Sequence, residues 1–357
     1  PPPAAPPGAP RPSPAAAGPP ADTSPALPTP PTAAPASDPG LGLRRRGFPD
    51  TCPEVSDSFE LLNAATYQVF GEQLFRDAEG QAALAHVAIG TAWAVGDRVL
   101  VTNAHVVAAF VDAAAQGVQF SRAIAVQSGT GTVITLNRGL IHPDYDAERR
   151  SPDVGLFESE QSLPNPLPLA PSDSVLGLGD EVQIVGFPGD VDKFLTVVPG
   201  ETVPQATSLS GRITARRSFL DTETVTAETL SIYQHQAPTS PGTSGSAMFA
   251  CGLVAGVNNA GTVRLVITPD PTGTSFVVDR QPAAANNFGI HVRYIHDVMG
   301  GFDAPAPGAF ELPLPAGQAP VGSPPAPTPP PNIARGVTIV DYAFEQPETE
   351  IVAGGTV

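Results

Sequence analysis

Lysine is nearly missing from this chain of 357 residues: Lys193 is the only one, and 18 basic residues face 35 acidic ones for a net charge of −17. A surface so poor in cations cannot neutralise a phosphate backbone, which excludes nucleic-acid binding through a basic face. The acidic excess favours solubility and carries no information about fold. Cysteine is also scarce, with Cys52 and Cys251 alone. Two cysteines so placed exclude a thiolate cluster, and no group of residues has metal-ligand spacing, so no metal and no cofactor is expected. The pair suits a disulfide of an exported domain and suits equally two free thiols, with Cys251 a small core residue. No apolar run reaches the ~18 residues of a membrane-spanning helix.

No signal peptide is visible, and the chain opens at Pro1 rather than Met. The reading is of a fragment whose Pro/Ala segment follows an export signal or a membrane or cell-surface anchor. The expected location is therefore outside the cytoplasm: secreted, periplasmic or tethered at the cell surface.

Proline is what the chain has in excess. There are 44, of which 16 fall in the first 40 residues and 11 in residues 305–331. Such Pro/Ala/Gly stretches cannot bury a core and read as disordered linkers. Four regions follow: a linker at 1–46, a folded domain at 47–302, a second linker at 303–333, and the start of another domain at 334–357. The basic run Arg44-Arg45-Arg46 reads as a solvated tip where the first linker ends.

Within the folded region, apolar runs of strand length alternate with turn residues. Val87–Val95, carrying Gly90, Thr91 and Trp93, is followed by Gly96-Asp97 and by Arg98–Thr102, the pattern of a hairpin. Thr66–Phe70, Thr132–Leu136, Asp153–Glu158, Glu181–Phe187, Ser208–Ala215 and Thr229–Gln234 read as further strands. So do Ala247–Ala250, Leu253–Asn258, Val263–Thr268 and Ser275–Val278. Helical patterns are confined to Ser56–Ala65, weakly, and Val292–Met299. Many short strands with loops between them predict an all-β sandwich or barrel.

Chemistry concentrates in Gly242-Thr243-Ser244-Gly245-Ser246. Glycines on both sides of a serine permit a sharp turn and leave N–H groups able to face a developing oxyanion. Such a turn is meaningful only with a base and a carboxylate. His105 follows the apolar Val101-Thr102-Asn103-Ala104, at a strand end where a rigid sheet can aim it. Asp153 opens Val154-Gly155-Leu156-Phe157, so its carboxylate needs a partner, and an imidazole N–H is suitable. Asp144 and Asp146, in a polar loop, compete for that role. Histidine, carboxylate and serine make a base, an orienter and a nucleophile.

These segments resemble the trypsin-like, chymotrypsin-fold serine peptidases, closest to their HtrA-type branch. Thr102–Val107 is similar to the TNxHVV histidine motif, Pro152–Leu156 to the aspartate strand, and Pro241–Ser246 to PGNSGG. Val185–Gly189 resembles the IGxPxG turn, Gly256–Asn259 the strand that pairs with substrate, and Phe288–Val292 the segment before the last helix. The resemblance implies two six-stranded β-barrels with a C-terminal helix and a cleft between them. It implies Ser244 as nucleophile, His105 as base and Asp153 as orienter, with the N–H groups of Gly242 and Ser244 as the oxyanion hole. It places Pro238 and Thr239 at the primary specificity pocket, and Val257, Asn258 and Asn259 on the strand that binds a polypeptide substrate. There are departures. Ser246 replaces the second glycine of the serine motif, and the IGxPxG turn is one residue short. Thr243 stands where zymogen-activated members carry an aspartate, so activation by a freed N-terminal amine is not expected.

An exported serine endopeptidase is thus the leading reading, and an inactive peptidase-fold scaffold is the alternative. Residues 334–357 resemble the opening strands of plastocyanin-like cupredoxins. No histidine, cysteine or methionine follows Met299, so this chain is expected to bind no copper.

Overall fold

The computed structural model describes residues 45–52, 55–76, 82–147, 149–189, 198–220, 224–269, 276–303, 308–313 and 352–353. Helix α1 (Val55–Ala65) leads into β1 (Thr66–Arg76), β2 (Ala82–Ala94) and β3 (Val99–Thr102). Helix α2 (Ala104–Ala115) follows, then β4 (Arg122–Gln127), β5 (Val133–Ile141) and β6 (Gly155–Ser159). The second half holds β7 (Glu181–Gly186), β8 (Thr207–Arg217), β9 (Ile232–His235), β10 (Ala247–Ala250), β11 (Leu253–Pro269) and β12 (Phe276–His291). It ends in α3 (Arg293–Val298) and β13 (Ala309–Glu311), and a two-residue strand β14 (Val352–Ala353) is also described.

The strands form two closed antiparallel barrels. In the first the order is β5-β4-β1-β2-β3-β6, and β6 returns to pair with β5. In the second it is β10-β7-β8-β9-β12-β11, and β11 returns to β10. Closure removes the unpaired N–H and C=O rows of an open sheet. Strand β13 adds outside β5, and β14 lies parallel to β11. Each barrel has its own filling: Tyr67, Leu100, Phe110 and Phe157 in the first, Ile184, Ile213, Tyr233 and Met248 in the second. A third cluster joins them, with Trp93, Val101 and Leu156 packed with Val185, Phe187, Val257 and Ile290. Ile295 and Val298 of α3 close that cluster, so the C-terminal helix holds the two barrels together.

The sequence expectations need several corrections. Leu253–Asn258 and Val263–Thr268 are one strand, β11, with irregular register between Asn258 and Val263. Strand β4 and helix α2 were not anticipated. Asp153 does not open β6 but precedes it by two residues. Residues 1–44 and all but two of residues 314–357 lie outside the described residues, and with them most of the expected linkers and cupredoxin-like strands.

The two cysteines are joined: Cys52 and Cys251 form a disulfide across 199 residues. Closing so long a loop removes roughly 5 kcal/mol of unfolded-chain entropy in the loop-closure account. The guanidinium of Arg45 lies against both sulfurs, and Arg46 bridges Val175 and pairs with Asp173. The segment before α1 is therefore strapped to the second barrel.

Two histidines are sealed inside that barrel. Burial holds His235 and His291 down to about 4, and the Asn258 side chain and Phe288 backbone offset only part of this at His235. His291 receives the Arg293 N–H on Nδ1 at 3.1 Å, so its Nε2 carries the proton donated to the Ser174 carbonyl at 2.8 Å. The unfolded imidazoles take up protons near 6.5 while the folded ones stay neutral to about 4. Stability is therefore full above pH 6.5 and is lost as pH falls through that window. Melting temperature measured against pH should decline from about 6.5 towards 4, with a shallower decline for His291→Gln. A flat wild-type profile over this range contradicts the assignment.

Candidate active site

The chain leaves β3 through Asn103, which caps α2 with extended backbone but no side-chain cap bond. Its amide instead donates to the Asp153 carbonyl at 2.8 Å. Helix α2 has no acidic residue in its first turn. Asp153 supplies the missing negative charge from across the barrel: its Oδ1 accepts the His105 backbone N–H at 2.9 Å. Its Oδ2 meets His105 Nδ1 at 2.7 Å. One buried carboxylate thus fixes both the main chain and the ring of His105. A carboxylate that only accepts requires the proton on Nδ1, which leaves the Nε2 lone pair as a base.

The other two carboxylates lie elsewhere. Asp144 is exposed, and its N–H donates to His142. Asp146 is braced by Ser151 through its main chain and pairs with Arg149 at 3.7 Å.

The serine loop of the second barrel is pressed against the first. Gly245 has φ +88°, and a Cβ there would lie 2.1 Å from the Thr91 carbonyl and 2.3 Å from Thr102 Oγ1. No side chain fits, so glycine is obligatory. A Cβ on Gly90 would touch both Val106, beside His105, and the Ser244 carbonyl at 3.2 Å. The nucleophile candidate and the histidine helix therefore converge on one point.

The carbonyls of residues 240–244 are all held. Ser240 O accepts from the Thr243 N–H, and Pro241 O from Gly189 at 2.6 Å. Gly242 O accepts from Thr91 Oγ1 at 2.7 Å, Thr243 O from Asn258 Nδ2 at 2.9 Å, and Ser244 O from the Thr91 N–H at 2.9 Å. The N–H groups of Gly242 and Ser244 have no acceptor among the described residues. With the carbonyls turned away, these two donors form a concave pair suited to an oxyanion. Ser244 is half-buried, and its hydroxyl donates to the Asn259 carbonyl at 3.3 Å.

The expected substrate-binding residues divide. Pro238 is exposed and Thr239 half-buried. Val257 and Asn258 are buried, Val257 in the inter-barrel core and Asn258 in the loop clamp. The main-chain groups of Asn258 are engaged within the fold, its N–H donating to Ser246 O at 2.8 Å and its carbonyl accepting from the Gly245 N–H at 3.1 Å, and Val257 lies between Ala247 and Ile290 in the sheet. Sequence reasoning missed Thr91. The signal was a lone hydroxyl in an apolar strand, since a buried hydroxyl needs a partner.

Residues 90–257, which run through both barrels and include His105, Asp153 and Ser244, match the family model described as trypsin-like peptidase domain. The two closed six-stranded barrels are the chymotrypsin fold of serine proteases. Among solved structures, one titled HtrA-type protease AlgW with decapeptide is similar at 18% identity, covering 70% of this chain and 68% of that one, with a TM-score of 0.48. A variant of AlgW with decapeptide is similar at 18% identity over 70% and 67%, with a TM-score of 0.44. No curated protein matches this chain in sequence.

Proposed function

We propose that this chain is a trypsin-like serine endopeptidase of the HtrA-type branch, acting outside the cytoplasm on polypeptides. The observation that carries this is the division of the Asp153 carboxylate between the His105 backbone and ring, at 2.9 and 2.7 Å. Asp153 fixes the ring of His105, and the helix that carries it meets the Ser244 loop beside Gly90, where Val106 and the Ser244 carbonyl come together. The disulfide supports an oxidising compartment.

In the proposed cycle an extended substrate lies along Asn259 and takes its carbonyl as acceptor, which releases the Ser244 hydroxyl. Ser244 Oγ attacks the scissile carbonyl carbon and its proton passes to His105 Nε2. Asp153 stabilises the imidazolium, and the Gly242 and Ser244 N–H groups take the oxyanion. The carbon–nitrogen bond breaks as Nε2 returns the proton to the leaving amine. Water then repeats the sequence on the acyl-enzyme, with the proton again passing through His105.

Pro238 and Thr239 carry no charge that could pair with a basic side chain. The expected preference before the cut is a small or medium apolar residue. Profiling of a peptide library tests both statements. Cleavage clustered after such residues supports the reading, dominant cleavage after Arg or Lys overturns the preference, and an intact library favours the inactive scaffold.

A further inference from the structure

We infer that Thr91, a residue of the first barrel, is a positioning residue that sets the oxyanion hole of the second; this rests on the peptidase reading above. In a trans peptide the C=O and the following N–H point in opposite directions. The bond from Gly189 to the Pro241 carbonyl therefore aims the Gly242 N–H, and the bond from Asn258 to the Thr243 carbonyl aims the Ser244 N–H. Between these two peptides lies a third, Gly242–Thr243. Gly242 has φ +96°, so nothing in its own side chain resists rotation of the units on either side. The N–H of this middle unit, on Thr243, donates to Ser240 O at 3.1 Å within the loop, and its carbonyl accepts from Thr91 Oγ1 at 2.7 Å, so Thr91 is what anchors the middle unit to the first barrel.

The same hydroxyl accepts the Phe187 N–H at 3.3 Å, two residues before the Gly189 that holds the first peptide. The Thr91 N–H donates to the Ser244 carbonyl at 2.9 Å, and the Thr91 carbonyl accepts from Thr102 Oγ1 at 2.7 Å. Thr102 lies three residues before His105. Thr91 thus ties the serine loop, the Phe187–Gly189 turn and the histidine strand at one point, and it is completely buried. Its donor and acceptor capacities are both used across the barrel boundary. A hydroxyl with only a packing role needs one partner, and these two are the pieces that orient the hole. The hole is therefore set by barrel docking.

Thr91→Val keeps the shape of the side chain and removes the hydroxyl. Thr91→Ser keeps the hydroxyl. The test compares both with wild type, after active-site titration with a fluorophosphonate, on the best peptide substrate and on the matching peptide aldehyde. The aldehyde places a hemiacetal oxyanion in the hole. For Thr91→Val we expect kcat to fall about 10- to 100-fold, below the roughly 10²–10³ of deleting an oxyanion donor. KM should stay within about threefold, and aldehyde affinity should fall in parallel with kcat. Thr91→Ser should recover most of both. A Thr91→Val enzyme that melts earlier yet keeps kcat and aldehyde affinity overturns the inference alone. So does a change confined to KM. A wild-type chain inert to the fluorophosphonate overturns the peptidase reading and this inference with it.

Discussion

Ser244→Ala is expected to lower kcat by roughly 10⁴–10⁶ while leaving the fold intact, and His105→Ala to do nearly the same. Alanine at 244 keeps every main-chain contact of the loop, because those contacts use the carbonyls and N–H groups of residues 240–245. Only the attacking oxygen is lost. The two residues act as one unit, so the double variant should lose little more than either single one. Steady-state kinetics on a peptide substrate checks this. Additive losses, or a Ser244→Ala protein that still turns over substrate at about a tenth of the wild-type rate, contradict a shared nucleophile–base role.

Asp153→Asn should cost about 10⁴ in kcat with little change in melting temperature. The reason is specific to the geometry. The His105 backbone N–H needs an acceptor, so an asparagine would keep its oxygen there and turn its NH₂ towards Nδ1. Nδ1 would then have to accept, and the proton would move to Nε2, where the base is wanted. Asp146→Asn should retain near wild-type kcat, since Asp146 pairs with Arg149 and is braced by Ser151. Inactivation by Asp146→Asn with an active Asp153→Asn reverses the assignment.

The serine, histidine and aspartate segments are legible in the sequence because each packs its chemistry into five or six consecutive residues. Turn glycines, a strand end and a buried carboxylate leave local marks. What stays hidden depends on distant partners. Thr91 and Gly242 are 151 positions apart, and a lone hydroxyl in an apolar strand says that Thr91 needs a partner but not which one. The disulfide spans 199 residues, and neither cysteine's neighbours show that it is bonded. Helix α2 is hidden by composition: its buried Val106, Val107, Phe110 and Ala114 follow helical spacing, but His105 and Asp112 are its only polar residues, so no polar face marks the period. Strand β4 is short and buried along nearly all its length, so it has no alternation to read. Asn259-Ala260-Gly261-Thr262 reads as the turn between two strands, yet the chain passes through it within β11 by shifting register.

The central claim is that Ser244 is a nucleophile activated by His105 and Asp153. The most direct measurement is reaction of the wild-type chain with a fluorophosphonate, followed by peptide mapping of the adduct by mass spectrometry. The account predicts one stoichiometric phosphonyl group on Ser244, absent in Ser244→Ala and strongly slowed in His105→Ala. An unmodified wild-type chain, or an adduct on another residue, would contradict it.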